Sequence, residues 1–79
     1  MAYAWKVVGW EACPRKNDPE KFNIRLHCQQ PLPDGGSGEG MACKVMYFNP
    51  EYVNYSPVIG QMIVATEGRF GIDRIIVVG

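Results

Sequence analysis

The sequence predicts an all-β domain of five strands closing into a small barrel, with one short helical turn between the third and fourth strands. Three observations carry that expectation. Short runs rich in Val, Ile, Tyr, Phe and Trp recur along the chain, and one of them alternates strictly between apolar and polar residues. Clusters of Gly, Pro, Asn and Asp separate the runs at close spacing. No stretch carries the apolar period of a long amphipathic helix, and no internal repeat is visible.

The elements follow in order. Trp5 to Ala12 is β-rich, and the isolated Gly9 within it marks a bulge or bend of the kind a barrel needs in order to close. Cys13 to Lys21, with two prolines and an Asn-Asp pair, reads as a loop. Phe22 to Gln29 is the clearest strand: Phe22, Ile24, Leu26 and Cys28 fall on one face, and Asn23, Arg25, His27 and Gln29 on the other. Pro31 to Gly40 loses all periodicity and forms a Gly-rich loop. Met41 to Phe48 returns to β character with both faces largely apolar, so it is either covered twice or carries an exposed apolar strip. Asn49-Pro50-Glu51-Tyr52 has the cap, first-turn proline and acidic residue of a helix start, and its turn is expected to fill the barrel end. Gln61 to Thr66 forms the fourth strand, Glu67 to Gly71 a tight hairpin with glycines placed for positive φ, and Ile72 to Val78 a β-branched last strand.

Seventy-nine residues make one domain, 1–79. A chain this short buries only about 60% of its unfolded-state surface, which favours a compact barrel or a homodimer that adds core at its interface. Net charge is zero, but up to Gln30 the basic residues Lys6, Arg15, Lys16, Lys21 and Arg25 outnumber Glu11, Asp18 and Glu20 by two, so a local basic face is possible. Cys13, Cys28 and Cys43 are odd in number and form no CxxC, which reads as free thiols in a reducing compartment. The N-terminus lacks a secretory layout and no apolar run reaches spanning length, so a cytoplasmic protein without membrane association is expected.

The chemistry-bearing patterns are sparse. A hydrolytic nucleophile needs a base and an orienting group, yet the one histidine, His27, lies on a wet strand face and Ser37 and Ser56 sit in loops. His27 and Cys28 are adjacent on a strand and point to opposite faces, which disfavours a shared metal. Gly35 to Gly40 has Glu39 where a phosphate loop needs lysine, and a strand follows instead of a helix. The chain is therefore not expected to be an enzyme, to hold a metal or cofactor, or to take a small-molecule substrate.

Binding of single-stranded DNA or RNA is the function these residues fit best. Single strands are held by cations tracking the backbone and by aromatic rings that stack on bases. Arg15, Lys16, Lys21, Arg25 and Lys44 supply the cations, and either Tyr47 or Phe48, whichever faces outward, supplies a ring. Arg69 and Phe70, at the tip of a tight turn, are the pair most committed to a ligand, since burial there is disfavoured. Affinity is expected to fall steeply with salt. The rival expectation is a protein-interaction or assembly barrel using the third strand as an apolar interface, favoured by zero net charge and by Met41 and Met46 on that strand.

The segment from Tyr55 through Pro57, Val58, Gly60 and Ile63, with Gly68-Arg69-Phe70-Gly71 and the β-branched tail, resembles the ending of small OB-like proteins encoded on phages and mobile elements of Gram-positive bacteria. Those proteins are similar in size and strand plan to filamentous-phage single-stranded-DNA-binding proteins. The resemblance implies a dimeric OB-like barrel that binds DNA through basic residues and loop aromatics. By matching position it carries over Arg69, Phe70 and the flanking glycines only. Gln61 stands where an acidic residue is common, and Ile72 where lysine is usual.

Overall fold

The computed structural model describes residues 4–32 and 38–79. It holds five antiparallel strands: β1 (Trp5–Pro14), β2 (Phe22–Pro31), β3 (Met41–Phe48), β4 (Met62–Gly68) and β5 (Gly71–Val77). Residues 33–37 of the Pro31 to Gly40 loop lie outside the described residues. Among the described residues no helix is long and apolar enough to cross a membrane.

Two sequence expectations are corrected. The sheet is open rather than closed into a barrel, OB-like or otherwise. Its order is β3-β2-β1-β4-β5, and no ladder joins the edge strands β3 and β5. The two edges do approach where β5 begins, but Gly71 has φ 105° there and the β4–β5 register slips beside it, between Thr66 and Glu67. A bulge bends its strand and raises the local twist, which turns β5 aside from β3 beyond this point.

The second correction concerns Asn49 to Tyr52, which form no helix. Asn49 accepts the Glu51 N–H on its side chain (2.9 Å) and the Tyr52 and Val53 N–H groups on its carbonyl (3.0 Å each). That makes one capped turn. It goes no further because Pro57 follows within a turn and a half, lacks an N–H and biases Ser56 to extended backbone.

The bulge expected at Gly9 is present. Val7 pairs with Cys28 and Gly9 with His27, which leaves Val8 as the extra residue. The 69–70 turn differs in detail from expectation. Only Gly71 of its two glycines has positive φ, and Arg69 and Phe70 keep negative φ, so the turn is not one of the primed two-residue types.

Among the described residues the core comprises Val7, Leu26, Cys28, Met46, Phe48, Val53, Ile63 and Ile72, with no buried polar or charged residue. Val53 comes from the irregular connection between β3 and β4, and Tyr55 from the same segment sets its ring edge-on to Phe48 at 5.9 Å. This segment fills space that strand closure would otherwise occupy. Among the described residues β1 meets β4 through Trp5–Ile63 and Lys6–Met62, which joins a three-stranded and a two-stranded part of the sheet.

Candidate functional site

Register builds the site. Arg25 on β2 pairs with Glu11 on β1 and with Tyr47 on β3, which puts the three side chains on one outer face. Arg25 Nη1 lies 2.7 Å from Glu11 Oε1, and its Cζ stands 5.3 Å from the Tyr47 ring centroid. His27, the next residue on that face, places Nε2 4.0 Å from the other Glu11 oxygen.

The β1–β2 loop adds more cations. It is tied off by the Arg15 N–H to the Lys21 carbonyl and the Lys21 N–H to the Asp18 carbonyl, 3.0 Å each. Arg15 Nε donates to Asn23 Oδ1 (3.0 Å), which aims the guanidinium across the end of β2. Glu51, in the turn after β3, stands 4.0 Å from Arg15 and 3.4 Å from Lys21.

Curling of the sheet brings the β4–β5 hairpin to the same place. A groove of about 530 Å³ runs between Arg15, Asn23, Tyr47, Tyr52 and Phe70, with Phe48 on its floor and Asp73 on its wall. A second concavity of about 420 Å³ shares Arg15, Asn23 and Tyr47 and continues past Lys16 to Arg25. Phe70 is 90% exposed and Tyr52 84%. The Arg69 guanidinium stays beside the Phe70 ring, at 5.7 Å from its centroid.

Two guanidinium nitrogens, Arg15 Nη2 and Arg25 Nε, are shielded from solvent and have no hydrogen-bond partner among the described residues. Such donors are normally satisfied, because leaving one bare costs about 1–3 kcal/mol. Both belong to arginines that line the groove or its continuation past Lys16.

The structure thus gathers Arg15, Lys16, Lys21, Arg25, Tyr47, Arg69 and Phe70 around one flank; of the other two expected residues, Phe48 lies beneath the groove and Lys44 on the other side of the sheet. Phe48 is buried in the core, so Tyr47 is the outward ring and Phe48 is withdrawn as a stacking residue. Lys44 pairs in register with the buried Cys28 and therefore points to the opposite side of the sheet. There it ion-pairs with Glu67 and lies 5.9 Å from the Trp5 ring centroid.

Tyr52 was not among the sequence candidates, because the helical reading of 49–52 made it filler for a barrel end. Its signal is a large aromatic just after an Asn-Pro turn. Among the described residues no group of His, Cys, Asp and Glu could hold a metal ion. No family model, curated protein or solved structure matches this chain.

Proposed function

We propose that this chain is a sequence-tolerant module that binds single-stranded nucleic acid, with DNA the expected ligand. The observation that carries the reading is a groove with three exposed rings, Tyr47, Tyr52 and Phe70, that continues past Arg15 to Lys16 and Arg25. Bases stack on Tyr47, Tyr52 and Phe70, while phosphates pass Arg15, Lys16 and Arg25. Stacking is indifferent to base identity because every base has a π-face, which accounts for sequence tolerance.

The electrostatics set the character of binding. Arg15, Lys21 and Arg25 already face carboxylates, so a bound strand exchanges one anion for another and releases few counterions. Aromatic contact, not charge, supplies most of the affinity in this reading. The steep salt dependence expected from sequence gives way to a shallow one.

Fluorescence anisotropy with a labelled oligothymidine at low salt tests this. Binding is expected, with Phe70→Ala and Tyr52→Ala each weakening it by about 5- to 150-fold, the equivalent of one lost stack. No binding at low salt, or wild-type affinity in both variants, overturns the proposal. An oligouridine of equal length compares RNA with DNA.

A further inference from the structure

One exposed edge is left out of that groove. The last part of β5 with the residue that follows it, Ile75-Ile76-Val77-Val78, carries no charge, no proline and no glycine, and Ile76, Val77 and Val78 each leave about half of their surface in water. Natural edge strands are normally blunted by a charge, a bulge or a proline. The other outer edge, β3, carries a charge at Lys44, and the first half of β5 carries Asp73, Arg74 and the register slip. Residues 75–78 are unprotected.

What a partner strand would cover here is apolar: Ile76 is 45% exposed, Val77 49% and Val78 54%.

We propose that a second copy of this chain adds antiparallel to the free edge of β5, continuing the sheet across a two-fold axis at Ile76. The backbone sets that register. Val78 donates its N–H to the Met62 carbonyl (2.9 Å), so by strand alternation Ile76 also turns toward β4. Ile75 and Val77 therefore hold their N–H and C=O groups toward the open side. Centring the axis on Ile76 sets Ile75 of each chain opposite Val77 of the other, which satisfies all of those groups at once. The two Ile76 residues then form a non-hydrogen-bonded pair, with Cα atoms about 4.5 Å apart. The inference does not depend on the nucleic-acid reading.

Sedimentation equilibrium and two variants test it. The wild type is expected at twice 8.9 kDa at micromolar concentration. Val77→Pro removes only an outward N–H, so it is expected to keep the wild-type circular dichroism and sediment as a monomer. Ile76→Cys is expected to form a 76–76 disulfide under mild oxidation, located by peptide mapping, because the paired Cα spacing falls within the disulfide range. A monomeric wild type at 100 μM, or a folded Val77→Pro that stays dimeric, overturns the proposal. Should Val77→Pro fail to fold, the Ile76→Cys bridge decides: its absence from a dimeric sample sinks this seam.

Discussion

Gly71 at the start of β5 lies against the backbone of Tyr47 on β3, so close that a β-carbon added there would sit 2.6 Å from the Tyr47 carbonyl oxygen. This approach holds the hairpin tip, and with it Phe70, beside the Tyr47 ring. Gly71→Ala meets two penalties: a positive φ of 105°, and a clash with backbone that cannot swing aside. Gly60 has a φ of 90° with nothing within 4 Å, so Gly60→Ala meets the first penalty alone. The left-handed strain costs about 1–2 kcal/mol. Urea denaturation is expected to show a loss near that size for Gly60→Ala and a loss of about 2–4 kcal/mol for Gly71→Ala, the excess reflecting overpacking. Equal losses would mean that the hairpin is free to move away from β3.

Internal carboxylates compete for the groove cations, and removing them should strengthen binding. Glu51 faces both Arg15 and Lys21. Glu51→Gln frees two cations, so the slope of log affinity against log salt is expected to steepen by up to about 1.4, at about 0.7 per phosphate contact. Glu11→Gln frees Arg25, with His27 the other side chain beside that carboxylate, and should add about half as much. Both pairs are partly exposed, so either variant should cost at most about 1 kcal/mol of stability. Unchanged slopes in both would place the bound strand away from this flank.

The strands were legible in the sequence because period-two alternation and glycine punctuation report local geometry. Phe22 to Gln29 shows its wet face directly, and Gly9 its bulge. Closure was not legible. It depends on whether β5 can run in phase beside β3, which the conformation of Gly71 and the course of residues 49–61 decide, and neither leaves a periodic trace. The site was legible in its residue types but not in its pairing. Arg25 reads as a free cation until register places Glu11 opposite it, and Lys44 reads as part of the basic path until pairing with Cys28 turns it to the other side.

The three thiols should separate by reactivity. Cys28 is buried, Cys43 is exposed and Cys13 lies between. Burial pushes the Cys28 thiol above its ordinary value of 9.0, with Lys44 pulling weakly the other way. A group that holds its proton more tightly when folded leaves stability intact below its unfolded value, and withdraws it as pH climbs from there through the folded value. Burial likewise raises Tyr55 from 10.0, partly opposed by a backbone hydrogen bond at Val58, while the nearby Cys28 reinforces the rise. A thiol reagent at pH 8 is expected to label Cys13 and Cys43 quickly and Cys28 only on unfolding. Melting temperature should begin to fall above about pH 9, and more gently in Cys28→Ala. A Cys28 that reacts as fast as Cys43 would contradict its place in the core.

Lys44 gives the sharpest test of where the binding flank ends. Its ammonium pairs with Glu67 beside Trp5, on the side of the sheet away from Arg25 and Tyr47. Lys44→Gln keeps most of the stem and removes the charge. Because the pair is partly exposed, the stability cost should be about 0–1 kcal/mol, and Trp5 emission should shift as its cation leaves. Affinity for an oligothymidine is expected to stay within twofold of wild type. Arg15→Gln, by contrast, removes one of the two unsatisfied guanidinium donors and should weaken binding well beyond that. If Lys44→Gln loses as much affinity as Arg15→Gln, the strand must cross the edge of β3, and the groove beneath Phe70 is not its path.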